Sequence, residues 1–122
     1  MKELNIYQRL VEFQKEVGKV TKGSVNPHFR SKFADINAVL ETIMPVLNKH
    51  GIAVTQLPTM DNGMQILHTK LFNIDKPEEF IEAKTPMIMT KNDAQAYGSS
   101  LTYCRRYSLV SMLNLEIGRA HV

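Results

Sequence analysis

The fold of this chain is decided by one stretch, AQAYGSSLTYCRRYSLVSML, which runs from Ala94 to Leu113. Asn92 and Asp93, just before it, are residue types that cap helix N-termini, and no proline interrupts it. At 1.5 Å per residue it would form a helix of roughly 30 Å. The stretch therefore predicts the longest helix of the chain, against which the other segments pack.

The predicted helix has two different faces. Polar residues recur at i, i+4, i+7 and i+11, namely Gln95, Ser99, Thr102 and Arg106. A mostly apolar stripe beside them, predicted to face the core, contains Tyr97, Leu101, Cys104, Ser108 and Met112. Arg105 projects from the edge of the apolar stripe, where an arginine needs a partner.

The residue types around the two arginines suit a nucleic-acid backbone. Tyr103 and Tyr107 flank them, and the small residues 98–100 precede them by one to two turns. Small residues let a chain approach the helix, hydroxyl and amide groups donate to phosphate oxygens, and guanidinium groups bind phosphate in bidentate fashion. The alternative is that Arg105 forms an internal ion pair and Arg106 is merely solvated, and residue chemistry alone leaves both open.

Three strand candidates precede the long helix. Alternating or apolar runs cover Ile52 to Leu57, Met64 to Phe72 and Glu79 to Thr85. The connections are Pro58 to Gly63, with a strong Asp-Asn-Gly turn signal, and Asn73 to Glu78. Short strands joined by such turns pair as an antiparallel meander.

Two amphipathic helices are predicted before the strands. The first spans Asn5 to Val20. The second runs from about Ile36 to His50, with Asp35 as its cap, Gly51 in a left-handed conformation at its end, and a kink caused by Pro45. The fold class is therefore α+β: a three-stranded antiparallel meander covered by a long C-terminal helix and preceded by two helices.

A basic segment, TKGSVNPHFRSKF, links the two early helices. Lys22, Arg30 and Lys32 alternate there with Phe29 and Phe33, a mixture that can meet phosphates with charge and bases with stacking. The alternative is a surface loop whose phenylalanines anchor it in the core. We favour an anchor for Phe33 and leave Phe29 open.

Composition and charge fit one small basic domain. The 122 residues are 43% hydrophobic and 22% charged, with a net charge of +3. Residues 1–33 hold seven Lys/Arg against three Glu, whereas residues 61–93 hold four Lys against six Asp/Glu. Such an uneven distribution is typical of a binding footprint for a polyanion, although a mildly basic free surface has the same pattern.

Several function classes find no support in the sequence. The single cysteine, Cys104, is interpreted as a small buried hydrophobe, and no leader or membrane span is indicated, so we expect a cytoplasmic protein. No nucleophile, phosphate-binding or metal-binding motif is present, so we predict no enzyme, no catalytic residue, no metal and no cofactor. A metal nuclease is the alternative, because four acidic residues lie close together in the sequence: Asp75, Glu78, Glu79 and Glu82. We interpret these carboxylates as solvated charge.

Two blocks resemble one protein family. GSSLTYCRRYSL, from Gly98 to Leu109, is similar to the signature of the Erf-type single-strand annealing proteins of phages, and NPHFRSKFADINAVLETIMPVLNKHGIAV, from Asn26 to Val54, is similar to their second block. The resemblance covers about Ile6 to Leu115. It implies a β-β-β-α core and ATP-independent annealing of single-stranded DNA during recombination by a ring or helical filament of many copies. It also implies a bacterial host cytoplasm and a host single-strand-binding protein as a partner of a C-terminal tail.

The predicted DNA site combines both ends of the chain. Five cations would hold the phosphate backbone in a groove between the basic segment and the long helix: Lys22, Arg30, Lys32, Arg105 and Arg106. Gln95, Ser99 and Thr102 would add hydrogen bonds. The alternatives are an oligomeric scaffold whose arginines only pair with carboxylates, and the metal nuclease.

Two segments stand apart from the predicted helices, strands and DNA site. Met87 to Thr90 is either a linker or an oligomer contact. The final residues, EIGRAHV, look like translated adapter sequence, so we predict that residues 1–117 form the single-strand annealing core domain. On that interpretation residues 118–122 are not native and the natural protein is longer.

Overall fold

The computed structural model describes residues 3–19 and 35–117. Its elements are α1 (Ile6–Glu16), α2 (Ile36–Lys49), β1 (Ile52–Asp61), β2 (Met64–Asn73), β3 (Lys76–Pro86) and α3 (Ala94–Met112). The strands form one antiparallel sheet in the order β1-β2-β3. The predicted α+β architecture, with two helices before the meander and a long helix after it, is confirmed.

Turn chemistry sets the register of the first hairpin. Asn62 and Gly63 have φ values of 51° and 76°, the two positive angles that a two-residue turn matched to strand twist requires. Asp61 therefore lies opposite Met64. In the second hairpin, the side-chain oxygen of Asn73 accepts a hydrogen bond from the Asp75 N–H at 2.9 Å, which closes the turn locally.

The predicted end of β1 was wrong. The strand does not stop at Leu57 but continues through Pro58 to Asp61, with Pro58 opposite Leu67. Proline is tolerated there because β1 is an edge strand, where a missing N–H need not break the ladder. For the same reason β3 includes Pro77 and begins at Lys76, earlier than predicted.

One face of the sheet packs on the helices. Alternation along β2 buries Leu67, Thr69 and Leu71 on that face. The main core cluster joins Leu71 to fully buried residues of α1, α2, β1 and α3, namely Phe13, Val39, Ile43, Leu47, Ile52 and Leu109. Each such side chain contributes about 1.5–3 kcal/mol of transfer free energy, so this cluster fixes α3 against the sheet.

The helix ends follow the capping signals. Asp35 and Asp93 each accept a hydrogen bond from the backbone N–H three residues later, at 2.7 Å in both cases. Gly51 closes α2 with φ +71°. α1 is shorter than predicted because Val17, with an extended backbone, ends it one residue after Glu16. No helix within residues 3–19 and 35–117 is long and apolar enough to span a membrane.

Candidate nucleic-acid interface

The polar stripe of α3 lies along a shallow depression on the helix. Gln95, Ser99, Thr102 and Arg106 line this depression, which has a volume of about 480 Å³, together with Gly98 and Tyr103. The Thr102 hydroxyl donates to the Gly98 carbonyl at 3.1 Å and keeps its lone pairs for an incoming donor. Helix periodicity thus brings four of the eight predicted site residues together on one surface.

Two exposed tyrosines continue this surface. The rings of Tyr103 and Tyr107 stack with centroids 4.3 Å apart, and the guanidinium carbon of Arg106 lies 5.7 Å and 6.0 Å from the two centroids. A hydrogen bond with Tyr107 is the main cause that raises the pKa of Tyr103 above its ordinary value. The pair was absent from the predicted site, although its i, i+4 spacing is a signal that both rings share a face.

A deeper groove, the α3 groove, lies on the other side of Tyr103. It has a volume of about 700 Å³ and runs between α3 and the segment 85–93. Four of the α3 residues that line it are small, namely Ala96, Ser99, Ser100 and Cys104, and Ile88 and Met89 line it from the segment 85–93. Gln95, Ser99 and Tyr103 line both the depression and the groove, so the two are continuous.

The segment that joins β3 to α3 therefore forms part of the groove. Met87 is buried against Leu67 and Cys104, and its N–H donates to the Gln65 carbonyl at 3.0 Å. That contact fixes the segment to the end of the sheet and presents Ile88, which is 81% exposed, at the groove wall. Cys104 is 4% exposed, which confirms its interpretation as a small buried residue.

Arg105 and Arg106 line different surfaces. Arg105 lines a cleft between α2, β1 and α3 with mostly apolar neighbours that include Leu40, Met44 and Val54. Its backbone carbonyl accepts a hydrogen bond from Gln56 Nε2 at 3.2 Å. No carboxylate of residues 3–19 or 35–117 pairs with its guanidinium, so the alternative of an internal ion pair finds no partner in that part of the chain.

The other half of the predicted site lies outside the described residues. Lys22, Arg30 and Lys32 fall there, as do Phe29 and Phe33. Their convergence with α3 stays a prediction.

Three of the four acidic residues considered for a nuclease have hydrogen-bond or ion-pair partners elsewhere. Asp75 pairs with Arg9, Glu79 accepts from the Ile6 N–H and from Asn73, and Glu82 lies 2.6 Å from His68 Nε2. In the described part of the chain, no three His, Cys, Asp or Glu side chains are grouped closely enough to hold a metal ion. The interpretation of Asp75, Glu79 and Glu82 as simply solvated missed their hydrogen bonds.

Fold and site together define a small α+β domain whose longest helix presents a strip of small polar residues, an arginine and a tyrosine stack to solvent. The chain belongs to the ERF superfamily, whose family model matches residues 6–118. This is a family of recombination proteins that act by single-strand annealing. No match was found among the curated proteins or among the solved structures.

Proposed function

We propose that this domain binds single-stranded DNA and anneals complementary strands without ATP during phage homologous recombination in the cytoplasm of the bacterial host. The observation that carries the proposal is the alignment of Gln95, Ser99, Thr102 and Arg106 along one depression of α3. Family membership supports it, because the match spans this helix.

The α3 surface offers the groups that a phosphate backbone needs. Arg106 supplies a planar guanidinium for bidentate contact with phosphate oxygens, Gln95 and Ser99 supply neutral donors along the same line, and Thr102, whose hydroxyl donates to Gly98, supplies an acceptor. Nothing lies within 4 Å of a methyl group built on Gly98, so a strand can approach the helix closely there. In this proposal Lys22, Arg30 and Lys32 form the facing wall, and Arg105 contacts the strand from the α2 side.

Annealing by such a site requires no fuel. Base pairing is favourable once the repulsion between the two phosphate backbones is neutralised, and bound cations provide that neutralisation. The protein would hold one strand extended with most of its bases accessible to the second. No catalytic residue, metal ion or cofactor takes part in this mechanism.

Many copies acting together would extend the binding surface. Within the described residues, β1 and β3 form the two edges of the sheet, and open edges are natural contact surfaces between subunits. A closed ring or a helical filament would place the α3 depressions in a row. A C-terminal tail that contacts the host single-strand-binding protein completes the proposal.

Binding and annealing can be tested separately. In fluorescence anisotropy we expect a preference for a single-stranded over a double-stranded oligonucleotide and a steep loss of affinity with salt. In an ATP-free buffer, two complementary labelled strands should anneal faster with the protein than without it. Equal annealing rates with and without protein would contradict the proposal, and strand cleavage on addition of Mg²⁺ or Mn²⁺ would replace it with a nuclease.

A further inference from the structure

Phosphate contacts alone do not explain a preference for single strands. Single-stranded and double-stranded DNA both present phosphate oxygens, and contacts to them fix position without reading bases. The depression lined by Thr102 and Arg106 therefore needs a neighbouring site that only an unpaired strand can use.

Tyr103 stands where such a site would begin. Its ring is 52% exposed and lies between the depression, which holds Arg106, and the α3 groove, which holds Ile88 and Met89. The Tyr107 ring, which also lines the α3 groove, stacks on it with centroids 4.3 Å apart and fixes its plane. A backbone held at Arg106 would thus have an aromatic ring beside it, within reach of a base attached to the same strand.

The α3 groove has the chemistry of a nucleobase site. Ile88 and Met89 give it one apolar wall, and small residues such as Ala96 and Ser100 make room along the helix. Gln95 and Ser99 at its opening can hydrogen-bond base edges, and they also line the depression. Stacking on an aromatic ring tolerates every base, because all bases have a π face.

We propose that the α3 groove takes one unpaired nucleobase, stacked on Tyr103, and that this contact makes the protein selective for single strands. The inference rests on the proposed function, since Arg106 and its neighbours hold the attached phosphates. A base within a duplex can enter the groove only after it is unpaired and unstacked, which disfavours duplex binding. The base leaves the groove when the complementary strand pairs with it, and the other bases of the bound segment stay accessible throughout.

The test compares variants of Tyr103 on three ligands: an oligothymidine, an abasic oligonucleotide of the same length and a duplex. Tyr103→Ala should weaken oligothymidine binding about 5- to 160-fold, the range of one base–aromatic stack, and leave abasic and duplex binding unchanged. Tyr103→Phe keeps the ring and should restore the affinity. Tyr7→Ala, at a 66% exposed tyrosine of α1, is the matched control and should change nothing.

The possible results separate this inference from the proposed function. If the native protein binds abasic and oligothymidine strands equally, the groove takes no base, although single-strand binding itself stands. If Tyr103→Ala weakens all three ligands alike, Tyr103 only positions Arg106 and the inference is wrong. If no oligonucleotide binds the native protein, both the proposed DNA-annealing function and the nucleobase site are wrong.

Discussion

Arg9 and Asp75, 66 positions apart in sequence, form an ion pair with 2.7 Å between Nη2 and Oδ2. Arg9 also donates from Nε to the Leu4 carbonyl at 2.8 Å and from Nη1 to the Gly51 carbonyl at 2.9 Å. Its side chain is 9% exposed, whereas that of Asp75 is 55% exposed. One guanidinium thus connects α1, the end of α2 and the β2–β3 turn.

Replacing Arg9 should destabilise the domain more than replacing its partner. Arg9→Met removes the ion pair and the hydrogen bonds to the Leu4 and Gly51 carbonyls, which keep Asn73 and Ile74 as donors, so we expect a loss of about 2–4 kcal/mol in the free energy of unfolding. Asp75→Asn keeps a hydrogen-bond acceptor at a half-exposed position and should lose only about 0.5–1.5 kcal/mol. Urea denaturation measures both.

Lys15→Met is the control for the loss of a cation on the same helix. Lys15 is 68% exposed and, among residues 3–19 and 35–117, pairs with Glu12 alone at 3.3 Å, so its replacement should change stability by less than about 0.5 kcal/mol. Equal effects of Arg9→Met and Lys15→Met would contradict the role assigned to Arg9.

Two glycines with the same backbone conformation should respond differently to alanine. Gly51 and Gly63 have φ values of +71° and +76°. A methyl group on Gly51 would lie 2.2 Å from Arg9 Nη1, whereas one on Gly63 meets nothing within 4 Å. Gly63→Ala should lower the free energy of unfolding by about 1–2 kcal/mol, which is the cost of placing a residue with a Cβ in the left-handed conformation.

Gly51→Ala adds the displacement of Arg9 to that penalty. In thermal or urea denaturation, Gly51→Ala should lower the free energy of unfolding by at least about 1 kcal/mol more than Gly63→Ala does. Indistinguishable stabilities for the two variants would show that Arg9 adjusts without loss.

Gly98→Ala should change stability and DNA affinity in opposite directions. It lies inside α3 and has open space around it, so Gly98→Ala should stabilise the domain by about 0.5–1 kcal/mol. The added methyl group would stand in the depression and hinder the approach of a strand, so affinity for an oligothymidine should fall. Gly18→Ala, also in open space but not among the residues that line the depression, should leave affinity unchanged. Unaltered binding by Gly98→Ala would show that the strand does not approach the helix at this point.

The His68–Glu82 contact should appear in the pH dependence of stability. The hydrogen bond from His68 lowers the pKa of Glu82 below 4.5. A lowered pKa in the folded state stabilises the protein above the unfolded value, and this contribution is lost as pH falls below about 4.5 through the folded value. In an NMR titration, His68→Ala should move the Glu82 pKa back toward 4.5. An unmoved titration curve would assign the shift to another group.

The sequence predicted the elements whose ends depend on local chemistry. Asp93 caps α3 where the N-cap preference placed it, Gly51 ends α2, and Asn62 with Gly63 closes the first hairpin. These features need only a residue and its immediate neighbours, so a single sequence is enough to find them. The helical spacing of Gln95, Ser99, Thr102 and Arg106 belongs to the same category.

Features that depend on distant contacts escaped prediction. Nothing local indicates that Arg9 is buried, because its partners come from the end of α2 and from the β2–β3 turn. The continuation of β1 past Pro58 depends on its place at the sheet edge. Arg105 and Arg106 are adjacent in sequence, yet only the packing of α2 against α3 decides that Arg105 lines a cleft of its own.

The most direct measurement is the affinity of Arg106→Ala for an oligothymidine across a series of salt concentrations. If a single strand lies along α3, the variant should bind more weakly than the native protein, and its slope of log K against log salt should be smaller by about 0.7, the loss of one phosphate contact. Arg105→Ala should have a smaller effect, and Lys15→Ala none. Native affinity and an unchanged slope in Arg106→Ala would contradict the account.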